Sequence, residues 1–105
     1  MEQSSEGKYQ NTGIRQKVVD EIICLANEYQ VQKVILFGSR ARGDFKERSD
    51  IDLAVSGGKD ALFSLAVDEE TSTLLSFDVV LLDGAVQEEL RDSIQKEGIV
   101  LYEKI

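Results

Sequence analysis

Gly38-Ser39-Arg40-Ala41-Arg42-Gly43-Asp44-Phe45-Lys46-Glu47-Arg48-Ser49-Asp50-Ile51-Asp52-Leu53 is the most informative stretch of the chain. It begins where a continuous apolar run, Val34-Ile35-Leu36-Phe37, stops abruptly. It ends inside a second run, residues 50–55, that alternates at first and then turns wholly apolar before Gly57-Gly58. Both runs read as buried strands, the glycines as the break after the second. Asp50 and Asp52 lie two positions apart on that strand, so their side chains leave the same face. Two unneutralised carboxylates about 4 Å apart repel by roughly 4 kcal/mol at an effective dielectric of about 20. The pair therefore calls for open solvent or for a cation, and Mg²⁺ suits it, because that ion takes a few carboxylates together with phosphate oxygens and water. Alone, an Asp-x-Asp on a strand is more often a solvated face than a metal site.

Its surroundings shift the balance. Asp78 interrupts the apolar stretch Ser76-Phe77-Asp78-Val79-Val80-Leu81-Leu82, where a buried and unpaired carboxylate would be costly. If that strand lies beside residues 50–55, a third carboxylate converges on the first two. Gly38-Ser39 follows a buried strand directly; the glycine lets backbone approach a phosphate, and amides and the hydroxyl can donate to its oxygens. Arg40, Arg42, Lys46 and Arg48 put four of the chain's twelve bases within nine residues, enough charge to meet a polyphosphate.

Outward from this stretch, Ile14, Val18, Val19, Ile22, Ile23, Ala26 and Tyr29 recur at helical spacing and predict an amphipathic helix over 14–30. A second helix is expected over 60–73, with Leu62, Leu65, Ala66 and Leu74 facing inward. A strand at 77–82 follows, then a helix over 85–96 capped by Asp83 and stopped by Gly98, then a strand over 99–102. The order α-β-loop-β-α-β-α-β describes an α/β (α+β) domain: a small mixed sheet of about four strands with helices packed on it. Residues 1–13 read as a loose tail and 14–105 as one domain.

Composition bounds the chemistry. In 105 residues, 20 Asp and Glu stand against 12 Lys and Arg, a formal net charge of −8, with no His, Pro or Trp and one Cys. Without histidine there is no Ser-His-Asp or Cys-His nucleophile pair and no His/Cys zinc site, and Cys24 cannot form an internal disulfide. The acidic balance argues against direct nucleic-acid binding. No stretch reaches the roughly 18–20 apolar residues of a membrane span, and the polar N-terminus lacks the apolar core of a signal peptide. A cytoplasmic protein is the expectation.

Gly38-Ser39, ten residues, then Asp50-Ile51-Asp52-Leu53 resembles the signature of the DNA-polymerase-β-like nucleotidyltransferase superfamily. The fuller string GSRARGDFKERSDIDLAV is similar to its minimal nucleotidyltransferase (MNT) branch, with the likeness running from about Val34 to Tyr102. The resemblance implies a polymerase-β-like fold in which Asp50 and Asp52 hold one or two Mg²⁺ ions and, through them, a nucleoside triphosphate. It implies that Asp78 completes the metal site and helps deprotonate the acceptor hydroxyl. Gly38 and Ser39 would contact phosphates, with Arg40 and Arg42 as auxiliaries. Lys46 stands where many members have Arg and carries less weight.

Members of this branch are similar to antitoxins paired with HEPN-domain proteins, and some adenylylate a tyrosine on that partner. The expected function is therefore transfer of AMP from ATP to a partner HEPN toxin, in a pair of the type VII kind. Residues 60–89 hold eight acids and no Lys or Arg, which fits a basic partner and equally fits plain solubility. Two alternatives stay open: a non-catalytic subunit that masks its partner, and transfer to a small-molecule antibiotic. The base of the nucleotide and the choice between homo- and hetero-oligomer are not fixed by the residues.

Overall fold

The apolar run before Gly38 forms the strand β1 (Lys33–Phe37), one of the two inner strands of the sheet in the computed structural model. The structure describes residues 10–104. β2 (Ile51–Ser56) runs antiparallel to β1, with Phe37 opposite Asp52 and Lys33 opposite Ser56. β4 (Ile99–Glu103) lies antiparallel on the other side, with Leu36 opposite Ile99, Lys33 opposite Glu103 and a bulge between. β3 (Phe77–Leu81) is parallel to β2, giving the order β3-β2-β1-β4. A parallel pair needs a crossover, and the helix α3 (Asp60–Glu70) supplies it.

The pleat sorts the side chains into two layers. Val34 and Leu36 of β1 and Ile51, Leu53 and Val55 of β2 face a core closed by α1 (Gln16–Glu28) and α3, through Val18, Val19, Ile22, Leu25 and Ala26 of the first and Phe63, Ala66 and Val67 of the second. Each aliphatic or Phe side chain buried there contributes roughly 1.5–3 kcal/mol. On the opposite face Phe37, Ala54 and Ile94 form a smaller cluster with Ile35, Val80 and Leu90, under α4 (Glu88–Glu97). Asp52 alternates with Ile51 and Leu53 and so belongs to this second face; Asp78, its partner in register, shares it.

The mixed four-stranded sheet with flanking helices is the expected architecture, and all four strands lie within about a residue of their predicted bounds. Three details differ. α3 buries Phe63 and Val67 with Ala66 and leaves Leu62 and Leu65 outside, at 52% and 61% exposure; Leu74, past the helix end, is fully exposed. Six of the first eight residues of α3 are apolar, so composition alone does not choose its inner face. Asp83 does not cap α4, which begins at Glu88 behind Gln87; its carboxylate instead accepts from the Gly57 amide at 2.7 Å. Residues 1–9 of the expected tail lie outside the described residues, whereas Gln10–Thr12 forms a 3-10 turn with Thr12 buried. No helix among the described residues is long and apolar enough to cross a membrane.

Candidate active site

Beyond Phe37 the chain must leave the sheet sharply, and it does so at Gly38, with φ +78° and ψ −156°. This is a conformation close to exclusive to glycine. Packing demands glycine as well: a Cβ there would overlap Asp52 Oδ2 and sit 3.1 Å from its Cγ. Backbone thus lies directly against the carboxylate. The single turn α2 (Ser39–Arg42) follows, and the Gly43 and Asp44 amides close it by donating to the Ser39 carbonyl at 2.9 and 3.1 Å. Ser39 itself is half-buried at the start of α2.

Asp52 and Asp78 stand side by side on parallel strands, which are about 4.8 Å apart in any sheet. Asp52 is half-buried; Asp78 and Asp50, which precedes β2 by one residue, are exposed. Burial pushes the Asp52 carboxyl up, Asp78 and then Asp50 push it further, and Arg42 and Arg40 act against them. The three aspartates therefore share one field. Among the described residues no three His, Cys, Asp or Glu side chains are grouped so as to hold a metal ion by themselves. Mg²⁺ is commonly held by one or two carboxylates plus substrate phosphates rather than by an all-protein cage. Hard oxygen donors whose charges repel fit that ion.

The four loop bases separate into two kinds. Arg42 is exposed and pairs with Asp44 Oδ2 at 3.2 Å and Glu97 Oε1 at 3.1 Å, tying α2 to the end of α4; these hydrogen bonds raise its pKa. Lys46 and Arg48 are exposed, on a turn that the Lys46 amide closes by donating to Ser49 Oγ at 2.8 Å. Arg40 is different. It is 1% exposed, and its guanidinium donates to the carbonyls of Ser49, Glu47 and Thr12. Arg40, expected as an auxiliary at the phosphates, has all three guanidinium nitrogens donating to carbonyls inside the protein. The sequence reading also missed Phe45, whose ring lies 4.7 Å from the Arg40 guanidinium carbon, and Gly13 and Thr12 behind it. The only cue was an aromatic five residues after an arginine. An open depression of about 940 Å³ adjoins the site, with Arg15, Lys17 and Arg48 on its wall; of the three aspartates only Asp50 borders it.

A glycine-backed aspartate, a second aspartate in register on a parallel strand and a third at the loop end define a class. Residues 20–105 match the family described as polymerase beta, nucleotidyltransferase, and the chain belongs to it; the protein is a nucleotidyltransferase. More particularly, it is 36% identical over 99 residues to a candidate protein adenylyltransferase of Methanocaldococcus jannaschii, covering 83% of this chain and 97% of that one. Among solved structures it is similar to a chain of a toxin–antitoxin crystallised with AMP-PNP, at a TM-score of 0.66 and 25% identity, covering 82% of this chain and 73% of that one. A nucleotidyltransferase of Sulfolobus solfataricus shares the fold at a TM-score of 0.52 and 21% identity, over 98% and 91% of the two chains.

Proposed function

We propose that this chain is a Mg²⁺-dependent protein adenylyltransferase that moves AMP from ATP to a tyrosine hydroxyl of a partner HEPN toxin, as the antitoxin of a type VII-like pair in the cytoplasm. The observation that carries the reading is the seat of Asp52, packed against the backbone of Gly38 with Asp78 beside it at the open end of the sheet. The adenylyl donor is supported by the name of the Methanocaldococcus jannaschii relative and by the AMP-PNP held by the toxin–antitoxin. In this reading Asp50, Asp52 and Asp78 would hold one or two Mg²⁺ ions, which would neutralise phosphate charge. Gly38 offers close backbone approach, Ser39 a hydroxyl donor, and Arg42 a cation that can turn from Asp44 and Glu97 toward phosphate. Asp78, exposed beside Asp52, accepts the proton of the attacking hydroxyl. The new bond joins that oxygen to the α-phosphorus as the bond to pyrophosphate breaks.

The partner is supported by the outer surface of α3. Leu62 and Leu65 are exposed there among Asp60, Asp68, Glu69 and Glu70, in a run that carries no base from residue 60 to residue 89. An apolar stripe with an acidic rim suits a basic partner. The same stripe favours a second reading, neutralisation by binding alone. The test incubates the protein with ATP, Mg²⁺ and its partner and follows the partner's intact mass. An adenylyl increment is expected with the parent and none with Asp50→Ala/Asp52→Ala. An increment that persists in the double variant refutes the mechanism. Full protection by the double variant with no ATP consumed establishes masking instead.

A further inference from the structure

We propose that Arg40 is a positioning residue of the nucleotidyl-transfer site, and that through it the turn at Gln10–Thr12 fixes the backbone that carries Asp50. The guanidinium fork spans three segments at once. Nε donates to the Ser49 carbonyl at 3.0 Å, Nη2 to the Glu47 carbonyl at 3.1 Å and Nη1 to the Thr12 carbonyl at 2.9 Å. The Phe45 ring lies against the guanidinium, 4.7 Å from its carbon. A buried charge is costly unless its donors are met, and here each of its three nitrogens donates to a carbonyl. Lysine cannot copy this, because a point charge on a flexible stem has no fixed fork.

The consequence falls on Asp50. The carbonyl just before it, that of Ser49, is held by Arg40, and the amide just after it, that of Ile51, donates to the Ser76 carbonyl at 2.9 Å at the start of β3. Asp50 is thus slung between two anchors, one set by the β-sheet and one by Arg40. The second anchor leads back to the N-terminal turn. Gly13, at φ +71°, makes room for it: a Cβ there would lie 2.6 Å from Phe45 Cζ and 2.8 Å from Arg40 Nη1. Thr12 and Gly13 precede residues 20–105, where the family match lies.

Because Asp50 is placed at the metal and nucleotide by the function proposed above, the test includes a control for that placement. Binding of AMP-PNP to the full chain is titrated at a series of Mg²⁺ concentrations, with hydrogen exchange of residues 44–50 measured on the same samples. Arg40→Lys and Gly13→Ala are each expected to raise the Mg²⁺ needed for half-maximal binding about ten- to a hundredfold, to quicken exchange at 44–50, and to be rescued by excess Mg²⁺. Asp50→Ala is expected to lose Mg²⁺-dependent binding without rescue. If Asp50→Ala fails while both other variants keep the parent's Mg²⁺ requirement, Arg40 is only structural and the inference is overturned alone. If Asp50→Ala itself binds like the parent, the assignment of Asp50 falls and the inference with it. Should Arg40→Lys not fold, Gly13→Ala, which keeps the guanidinium but crowds its Nη1, decides.

Discussion

Gly38→Ala isolates the contact that builds the site. Two separate penalties meet at this residue. The first is conformational: φ +78° and ψ −156° lie where a side chain costs about 1–3 kcal/mol. The second is steric: the new Cβ overlaps Asp52 Oδ2, with Cγ at 3.1 Å and Cβ at 3.4 Å, so the Asp52 carboxylate must swing away from its place beside Asp78. The first penalty alone lowers the melting temperature by roughly 5–20 °C, at about 4–8 °C per kcal/mol for a domain of this size. A double-mutant cycle separates the two. In Asp52→Ala the overlapping oxygen and its carbon are gone, and only the ordinary contact at 3.4 Å remains. Gly38→Ala should therefore be less destabilising in the Asp52→Ala background than in the parent, while the conformational penalty persists in both. The assay is thermal unfolding followed by circular dichroism, with and without Mg²⁺ and AMP-PNP. Saturating ligand at about a hundred times its Kd stabilises the parent by about 2.7 kcal/mol, and Gly38→Ala should lose that rise. An unchanged melting temperature, or strictly additive effects in the cycle, would refute the packing of Gly38 against Asp52.

Asp52 also gives the free protein a characteristic pH response. Its folded carboxyl is raised by burial, Asp78 and Asp50, so the folded state holds the proton more tightly than the unfolded chain. Its contribution to stability therefore falls as pH rises from the ordinary aspartate value through the raised one, and is recovered on acidification through that window. Asp52→Asn should melt higher than the parent near neutral pH and lose this part of the slope; identical pH profiles for the two proteins count against the shared field. The two sides of α3 should separate cleanly in denaturant titrations. Phe63→Ala, at a fully buried position, should lose about 3–5 kcal/mol, and Leu65→Ala, at 61% exposure, should stay within about 0.5 kcal/mol of the parent. Equal losses would mean that the inner face of α3 is misassigned.

The strands were legible because each is a short apolar run bounded by a glycine or a polar turn, and the spacing of Asp50 and Asp52 placed them on one face without reference to any partner. Asp78 was legible as an interruption, since a carboxylate inside Phe77-Asp78-Val79-Val80 needs a reason. What escaped was decided by tertiary contact. α3 carries Leu62 and Leu65 on one side and Phe63 and Val67 on the other, both at helical spacing, and only the sheet beneath it chooses between them. Arg40 and Arg42 read alike in a basic loop. Their fates differ because one turns toward the carbonyls of Thr12, Glu47 and Ser49 and the other toward Asp44 and Glu97. No local propensity separates two such arginines.

The inner place of β1 bears on how the chain comes to be made. Its two neighbours arrive at very different times: β2 follows within one loop, whereas β4 comes from near the far end of the described residues. Until β4 docks, Lys33-Val34-Ile35-Leu36-Phe37 presents a bare row of amides and carbonyls on an apolar, Pro-free strand, the kind of edge that recruits other chains. Long-range pairing of this sort is slow to close, so a growing or truncated polypeptide lacking residues 99–103 should be prone to stick to its neighbours in the polysome. The last strand acts as a guard over the first, and a frameshift near codon 99 would release a self-associating species rather than a merely weaker enzyme.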